Sequence, residues 1–536
     1  TMNILQKLID TAIEFPEKTA ITDYRNPFPG SVRYVDKTYG QLINDVLATA
    51  NNLQDKGLGK GDRVLIFVPM SYSLYITVLS LLYIGTSAVF MDAWANPERV
   101  RKACKVVNPK GFIGSGKAQS LQVHQEIRKI PIKLTLAKAL IRSSQSQNLD
   151  IANIQPEKVA TDDTAIITLT TGTTGLPKGA NRTHGLLWEQ FRIQNRHLQL
   201  SNTDIDLTAL PVFVLNNLGL GVRSVLPRFN PAKPVSFKPE NIVDQILENQ
   251  VSTTIGSPAF FDKIAKHLIQ NKINLPLQKI FTGGAPIFPP LASKLRLAFP
   301  GTQIEVLYGC TEAEPISHTA VDNLVDLAAF SGIPLGKGIE EIKVRTLDTA
   351  KASSPSNPGQ KLSEEQKEVG EILISGPHVL KEYIGDPSTY ADTKIEEQGE
   401  IWHRTGDAGR IEPDGTIYFY GKAKNCLNLN GEHIYPLPYE KELISAEAIA
   451  FACLLQIKDT IFAVLEPDKN AAASRKEIIS RASRILDRIS PDRIVLLNKI
   501  PRDPRHRSKV DYAQLQKILS KKYLNSPKNA KSTFQS

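Results

Sequence analysis

The sequence has few cysteines, and nothing in their arrangement would pair them or recruit a metal. Its four cysteines are far apart in a chain of 536 residues, without a CxxC pair or two histidines at zinc spacing. A disulfide framework and a zinc cluster are therefore not expected. The opening residues also lack an arginine-led apolar signal segment, which predicts a cytoplasmic protein rather than a secreted one.

Long uncharged runs are also scarce, and the one that stands out is not expected to cross a membrane. Residues 64–91 carry no charge over 28 positions, which exceeds the roughly 20 residues that a membrane-spanning helix needs. Proline and glycine interrupt the run, so we predict a buried strand at 64–68, a helix over 73–84 and a second strand ending at Phe90.

Acidic residues are in short supply only near the C-terminal end. The formal net charge is +10, but after residue 470 there are 16 Lys and Arg against 5 Asp and Glu, which leaves the rest of the chain nearly neutral. The basic end has no aromatic platform or recognised nucleic-acid motif, so we predict no nucleic-acid partner. Its cations are suited to attracting anionic small molecules or an acidic carrier protein.

A single hydrophobic core cannot organise a chain of this length, so two or more domains are expected. Short apolar runs alternate with helical segments through most of the first 400 residues, which predicts an α/β fold with largely parallel sheets. Four such runs are predicted strands: 165–169, 253–255, 279–282 and 303–307.

The pattern changes towards the C-terminal end. Shorter alternating strands around a polar insert predict an antiparallel subdomain near residues 339–374. A last α+β segment is predicted from residue 421, with helices over 475–489 and 512–522. We therefore predict a large N-terminal domain (1–420) and a small C-terminal domain (421–522), followed by a disordered tail (523–536).

The most informative motif is the segment TTGTTGLPKG at residues 170–179, which follows a buried apolar run. Glycines and hydroxyls bring backbone N–H groups close to phosphate oxygens, and one lysine adds a positive charge. The order of residues favours a polyphosphate-binding loop over a flexible surface loop, and it does not match the spacing of a Walker A loop. The candidate ligand-binding residues are Thr170, Thr171, Gly172, Thr173, Thr174, Gly175 and Lys178.

A second glycine-rich segment comes close to a Walker A loop. Residues 111–118 have its spacing, but they end in alanine where a Mg²⁺-binding hydroxyl is needed. We interpret this segment as a turn at the end of a strand.

Four ordered motifs now identify a resemblance. The 170–179 loop, YGCTE at 308–312, TGD at 405–407 and a late Lys509 resemble, in order and separation, the adenylate-forming superfamily of acyl-CoA synthetases, luciferases and peptide-synthetase adenylation domains. The resemblance covers residues from about 38 to about 515. It implies a large domain of packed subdomains, a small mobile C-terminal domain, and a site for ATP and Mg²⁺ between them.

The resemblance also implies a role for individual residues in adenylation. Thr311 would bond a phosphate oxygen, and Glu312 would hold Mg²⁺, a cation that favours carboxylate oxygens. Asp407 would accept hydrogen bonds from the ribose hydroxyls. Lys509 would offset the charge that develops as the carboxylate attacks the α-phosphate. The remaining residues implied to line the nucleotide site are Gly283, Gly284, Ala285, Tyr308, Gly309 and Lys422.

Departures from the family pattern bear on the substrate. The segment 211–214 has neither the histidine of fatty acyl enzymes nor the aspartate that pairs with an α-amino group. An amino-acid substrate is disfavoured, because its ammonium group would lie unpaired against apolar residues. We predict a hydrophobic carboxylic acid as substrate, with an acyl-binding segment that includes Phe213, Val214, Leu215 and Leu218, although a core helix would have the same composition.

The acceptor of the activated acyl group stays open. Coenzyme A is one candidate acceptor and an acyl carrier protein is another, but Lys422 and His433 replace arginines that are usual in the family. The segments 402–407, 432–440 and 501–509 resemble the β-lactone synthetases of bacterial olefin biosynthesis, in which the hydroxyl of a 3-hydroxy acid attacks its own acyl-adenylate. A nucleotide-binding protein without turnover is a third alternative.

Overall fold

The structure is a computed structural model that describes residues 3–26, 31–91, 97–141, 154–171, 177–229, 236–347, 369–385, 387–502 and 509–524. All structural statements below refer to these residues. They divide into parallel or mixed sheets covered by helices, one antiparallel sheet and a smaller C-terminal sheet.

The strands are named in chain order. They are β1 (Thr19–Arg25), β2 (Arg33–Thr38), β3 (Arg63–Phe67), β4 (Ser87–Met91), β5 (Gly111–Gly114), β6 (Ile132–Thr135), β7 (Thr164–Thr171), β8 (Pro177–Thr183), β9 (Ile205–Thr208), β10 (Arg223–Val225), β11 (Thr253–Gly256), β12 (Lys279–Gly283), β13 (Gln303–Cys310), β14 (Ala313–Ala320), β15 (Ile333–Lys337), β16 (Lys343–Leu347), β17 (Gly370–Ser375), β18 (Tyr383–Ile384), β19 (Lys394–Glu397), β20 (Glu400–Ile411), β21 (Thr416–Lys422), β22 (Leu427–Leu429), β23 (Glu432–Ile434), β24 (Ile449–Ile457), β25 (Thr460–Pro467) and β26 (Arg493–Leu496).

The α-helices are named in the same way. They are α1 (Gln6–Glu14), α2 (Tyr39–Asp55), α3 (Tyr72–Tyr83), α4 (Pro97–Val107), α5 (Gln125–Arg128), α6 (Leu136–Ala139), α7 (His184–Leu198), α8 (Pro211–Leu220), α9 (Pro239–Glu248), α10 (Pro258–Asn271), α11 (Pro289–Ala298), α12 (Pro387–Thr393), α13 (Leu437–Ser445), α14 (Arg475–Ile485) and α15 (Tyr512–Leu519).

The first sheet has the strand order β14-β13-β12-β11-β9-β10-β1-β2. The strands from β13 to β1 run parallel, while β14 and β2 close the two edges in antiparallel orientation. The carboxyl ends of β9, β11, β12 and β13 therefore share one edge, which is where open α/β sheets bind ligands.

The second sheet contains the long uncharged run. Its order is β18-β8-β7-β4-β3-β5-β6, and β3, α3 and β4 confirm the predicted strand, helix and strand. No helix among the described residues combines the length and the apolarity needed to cross a membrane. The near-Walker segment begins with β5 and continues into a 3₁₀ helix over Gly116–Val123, so it lies at a strand end as predicted, but it enters a helical segment rather than a simple turn.

The third sheet confirms the predicted antiparallel subdomain. Strands β15, β21, β20, β17 and β16 pair in that order, with β19 added to β20, and every pairing is antiparallel. The sheet incorporates the chain through Lys422 at the end of β21. Together, the three sheets confirm the predicted α/β class.

The chain beyond residue 422 forms the hairpin β22–β23 and the sheet β24-β25-β26. Helix α14 begins at the predicted residue but ends at Ile485, four residues early, and α15 ends at Leu519. Tyr523, at the start of the predicted tail, packs on Phe462 with ring centroids 6.3 Å apart, and residues 525–536 lie outside the described residues. The proposed boundary at residue 421 stays a prediction.

Helix α13 packs against the N-terminal part of the molecule. Its buried Leu437 belongs to the hydrophobic core beneath the first sheet. The ring of Tyr439 lies 5.2 Å from that of Phe330, and the buried ammonium of Lys441 donates hydrogen bonds to Ala328 O and, at 3.1 Å, to Ser331 Oγ. These contacts hold the C-terminal sheet against the loop that precedes β15.

Candidate active site

Thr311 and Glu312 form the two-residue tip of the hairpin between β13 and β14, at the ligand-binding edge of the first sheet. The hairpin register pairs Cys310 with Ala313, and a bulge precedes it. A Cβ at Gly309 would lie 3.0 Å from Ala313 O, so the bulge leaves little room for a side chain at this position. The predicted phosphate and metal residues thus lie side by side.

The buried guanidinium of Arg182 helps to hold this tip. Its Nη2 donates a 3.1 Å hydrogen bond to Thr311 O. Arg182 belongs to β8, the strand that also contains residues 177–179 of the predicted phosphate loop. This hydrogen bond therefore connects that strand to the hairpin tip.

The glycine pair at the end of β12 lies next to this hairpin in the sheet. A Cβ at Gly283 would lie 2.5 Å from Leu307 O, too close for any side chain. Gly284 has φ +88°, a backbone conformation that only glycine adopts readily. The partly exposed Ala285 follows, so exposed backbone at Gly284 lies beside the hairpin. The role of these residues in nucleotide binding stays a prediction.

Asp407 is buried in β20, 6% exposed, and contacts two other predicted site residues. The Tyr308 hydroxyl donates a 2.9 Å hydrogen bond to Asp407 Oδ2. Lys422 faces Asp407 in the β20–β21 register, and its ammonium forms an ion pair with Oδ1. Desolvation opposes the charge of Lys422, but Asp407 outweighs it and raises the pKa of the lysine. The third sheet therefore brings a carboxylate and a cation to the edge of the first.

The carboxylate of Glu312 accepts a hydrogen bond at one oxygen, and its other oxygen faces an imidazole without bonding to it. Its Oε1 accepts a 2.7 Å hydrogen bond from the Tyr383 hydroxyl. Its Oε2 lies 4.0 Å from His403 Nε2, beyond hydrogen-bonding distance. The backbone oxygen of Glu312 accepts a 2.7 Å hydrogen bond from Leu380 N.

Lys394 and His403 lie behind Glu312, and both are at least 97% buried. The Lys394 ammonium donates to Leu380 O and, at 3.2 Å, to His403 Nδ1. Burial lowers the pKa of Lys394 to about 8, although Glu312 opposes the shift. Burial and then Lys394 lower the pKa of His403 to about 3, so the imidazole is neutral at pH 7 and its proton is on Nε2.

These groups keep Glu312 ionised. Burial by itself raises the pKa of the carboxyl, but His403, the Tyr383 hydroxyl and Lys394 together lower it below its ordinary value. Because His403 is neutral at pH 7, Lys394 supplies the positive charge near Glu312.

The donor atoms at this position favour a hard cation on Glu312. Atoms of Cys310, Glu312 and His403 lie within 4.8 Å of one another. Burial raises the pKa of Cys310 well above its ordinary value, and the bond from Lys394 to His403 Nδ1 leaves the ring proton on Nε2, so neither is a ready ligand. The Glu312 carboxylate remains, and its oxygens suit Mg²⁺ or a similar cation.

The structure describes only part of the predicted phosphate loop. Thr170 and Thr171 end β7, whereas Gly172, Thr173, Thr174 and Gly175 lie outside the described residues. Lys178 pairs with Thr170 in the sheet. Burial and the charge of Lys394 are the main causes that lower the pKa of His403, and the charge of Lys178 adds to them. Lys178 is thus placed on the Glu312 side of the molecule.

The predicted acyl residues lie on α8, and their packing is that of a core helix. Val214 and Leu218 are fully buried in the core shared with α1 to α3, and Leu215 packs at its margin. Phe213 belongs to a separate cluster that includes Phe281 and Leu307, on the strands that carry Gly283 and Tyr308. Their role in acyl binding stays a prediction.

Lys509 is exposed and lies beside the bridge that pairs Arg502 with Val510. Its proposed approach to the nucleotide also stays a prediction. Sequence reasoning missed Arg182, Tyr383 and Lys394, and it assigned no role to His403 although it quoted the segment 402–407. A tyrosine or a lysine in a short polar strand gives no sequence signal of burial.

Comparisons with known proteins agree with this geometry. Residues 9–384 match the model of a family described as "AMP-binding enzyme". The olefin beta-lactone synthetase of Stenotrophomonas maltophilia (strain K279a) is 25% identical and covers 96% of this chain and 97% of its own. The putative acyl-CoA ligase YdaB of Bacillus subtilis (strain 168) is also 25% identical, over 90% of this chain and 94% of its own.

A solved structure has the same fold. O-succinylbenzoate coenzyme A synthetase (MenE) from Bacillus subtilis, in complex with AMP, aligns with a TM-score of 0.74 at 20% identity. The alignment covers 95% of this chain and 98% of that one.

Proposed function

The chain belongs to the AMP-binding enzyme family, and on that premise we propose that it joins a hydrophobic carboxylic acid to AMP at the expense of ATP. It is an ATP-dependent acid ligase of the adenylate-forming type; the acid, the acceptor and the residue roles are proposals. The observation that carries the proposal is the Tyr308–Asp407 hydrogen bond of 2.9 Å, which joins the strand of the Thr311–Glu312 tip to the strand of Asp407.

In the proposed reaction, an oxygen of the substrate carboxylate attacks the α-phosphorus of ATP. The bond from that phosphorus to the bridging β-phosphate oxygen breaks, and pyrophosphate leaves with its electron pair. Asp407 accepts hydrogen bonds from the ribose hydroxyls, and the Thr311 hydroxyl donates to a phosphate oxygen. Positioning and charge stabilisation supply the rate acceleration.

Charged side chains hold the triphosphate. Glu312 would bind Mg²⁺ through the carboxylate oxygen that Tyr383 does not hold, and the metal would offset phosphate charge. Lys178 adds a cation on the same side, and Lys422 stays paired with Asp407. Lys509, on the C-terminal segment, would approach the reacting carboxylate when that segment closes over the site.

The acid is proposed to be hydrophobic. Helix α8 begins beyond the carboxyl end of β9, in the sheet that also carries Gly283 and Tyr308. The first turns of this helix are apolar. An ammonium group on the substrate would find no carboxylate in the segment 211–220.

Two acceptors compete for the acyl group. Coenzyme A or a carrier thiol would give a thioester, as the name of the relative from Bacillus subtilis implies for that protein. The relative from Stenotrophomonas maltophilia, matched over 97% of its length, is named a beta-lactone synthetase, which favours attack by the substrate's own 3-hydroxyl as the alternative.

One incubation distinguishes the two acceptors. The protein is mixed with ATP, Mg²⁺ and a long-chain 3-hydroxy acid, with and without coenzyme A, and the products are identified by mass spectrometry. A β-lactone formed without coenzyme A supports the internal acceptor, and an acyl thioester formed only with coenzyme A supports the thiol. ATP consumption that does not depend on the acid would overturn both.

A further inference from the structure

Glu312 occupies a position where its own backbone gives it little support. It lies on a two-residue turn between strands, so its side chain would sample several rotamers unless neighbouring groups restrain it. A carboxylate that is to bind a metal with useful affinity must be held in one orientation. The restraint comes from a segment about 70 residues further along the chain.

Two contacts from this segment fix Glu312. Leu380 N donates 2.7 Å to the backbone oxygen of Glu312, and the Tyr383 hydroxyl donates 2.7 Å to its Oε1. The first contact anchors the turn and the second selects the rotamer. The other carboxylate oxygen, Oε2, faces the imidazole of His403 at 4.0 Å.

Lys394 links the segment that anchors Glu312 to His403. Its ammonium donates to Leu380 O, on the segment that anchors Glu312, and at 3.2 Å to His403 Nδ1. That bond directs the Nε2 side of the imidazole towards Glu312 Oε2, 4.0 Å away. Lys394 also lies over the ring of Tyr383, 5.5 Å from its centroid.

The position of Lys394 argues for an indirect role. Lys394 is 2% exposed, and its ammonium bonds to a carbonyl and an imidazole rather than to the Glu312 carboxylate. A buried ammonium costs stability unless it is fully bonded, so its presence here calls for a functional account.

We propose that Tyr383 and Lys394 are positioning residues that hold Glu312 in the orientation that binds the divalent cation of ATP. The inference rests on the proposed function, because it takes Glu312 as the metal-binding residue. Tyr383 fixes Oε1 directly, whereas Lys394 acts through Leu380 and His403. Loss of such supporting groups lowers metal affinity about 10- to 100-fold in known metal sites.

The test measures ATP binding without turnover. Calorimetry gives the dissociation constant of ATP in EDTA and in Mg²⁺. The constant in EDTA divided by the constant in Mg²⁺ reports the contribution of the metal. Tyr383→Phe and Lys394→Met should each reduce this ratio about 10-fold or more, with the value in EDTA unchanged. Glu312→Gln serves as the reference that removes the metal contribution.

Controls separate positioning from folding. Tyr390→Phe removes an exposed hydroxyl that donates 2.7 Å to Glu396 and should leave the ratio unchanged. Tyr383→Phe added to Glu312→Gln should not lower the ratio of dissociation constants any further, because Tyr383 acts only through that carboxylate. Melting temperatures establish that each variant folds. If Lys394→Met does not fold, Tyr383→Phe and the double variant still decide the proposal.

The outcomes are distinguishable. If Glu312→Gln lowers the ratio but Tyr383→Phe does not, the positioning role is overturned while the proposed function stands. If the unmodified protein binds ATP equally well in EDTA and in Mg²⁺, the metal role of Glu312 fails, and the positioning role fails with it.

Discussion

The Tyr308 hydroxyl donates a 2.9 Å hydrogen bond to Asp407 Oδ2, and this bond connects two sheets whose strands are 99 residues apart in sequence. Tyr308 precedes the Thr311–Glu312 tip, while Asp407 begins the half of β20 that pairs with β21. The residues proposed to bind the ribose and the phosphates are thus fixed relative to each other before a nucleotide binds.

Asp407→Asn should weaken ATP binding while the fold persists. The amide keeps the shape of the carboxylate but loses the charge that strengthens its hydrogen bonds to ribose. Such bonds contribute about 1.5–3 kcal/mol, so the KM for ATP should rise about 10- to 100-fold. Steady-state kinetics measures the change, with the exposed Asp414→Asn as the matched control. An unchanged KM for ATP would remove Asp407 from the nucleotide site.

Lys509→Ala should abolish chemistry but spare ATP binding. If the ammonium offsets charge that develops during attack on the α-phosphate, the rate of pyrophosphate release should fall at least about 100-fold. The dissociation constant of ATP, measured by calorimetry, should change only a few-fold. Lys521→Ala, which removes another exposed cation near the C-terminal end, is the control. Undiminished pyrophosphate release would exclude Lys509 from the mechanism.

Asp206 should make stability depend on pH. Burial raises the pKa of its carboxyl from 3.8 to about 7, against hydrogen bonds from Thr253 and Asn217. The folded protein therefore holds this proton more tightly than the unfolded chain does. The contribution of Asp206 to the free energy of unfolding should fall as pH rises from about 4 to about 7, by at most about 1.4 kcal/mol per pH unit.

Urea denaturation of the protein and of Asp206→Asn at pH 5, 6, 7 and 8 measures this contribution. The difference between the two unfolding free energies should change up to about pH 7 and then level off. Parallel pH profiles for the two proteins would contradict the assignment.

Lys441→Met should destabilise the contact between α13 and the loop before β15. The substitution removes the hydrogen bonds from the buried ammonium to Ala328 O and Ser331 Oγ, and hydrogen bonds to a charged group contribute about 1.5–3 kcal/mol. The free energy of unfolding in urea should fall by about that amount. Lys469→Met, at an exposed position, should have no effect. Equal stability of both variants would show that the contact contributes little.

Most of the fold could be predicted from local patterns. The runs at 64–68 and 165–169 are apolar because β3 and β7 are largely buried inside the second sheet, and β12 and β13 lie at the predicted positions 279–282 and 303–307. Helix ends were predicted less well: α14 stops at Ile485, four residues before the predicted end.

The site could be predicted only where its residues lie in ordered motifs. Thr311, Glu312 and Asp407 belong to such motifs, and the structure brings their strands together through Tyr308. Tyr383 and Lys394 belong to no such motif. Their burial results from the pairing of β18 with β8 and of β19 with β20, which local sequence does not indicate. The segment KIEE at β19 has the composition of a solvated surface strand, so its lysine gives no sign that it is enclosed.

The central claim is that the protein activates a carboxylic acid as its adenylate, and ATP–pyrophosphate exchange tests it most directly. The protein is incubated with ATP, Mg²⁺, labelled pyrophosphate and a panel of long-chain fatty and 3-hydroxy fatty acids, without coenzyme A. The account predicts that label enters ATP only when a hydrophobic acid is present, and that Glu312→Gln and Lys509→Ala abolish the exchange. ATP binding with no acid-dependent exchange for any member of the panel would contradict it.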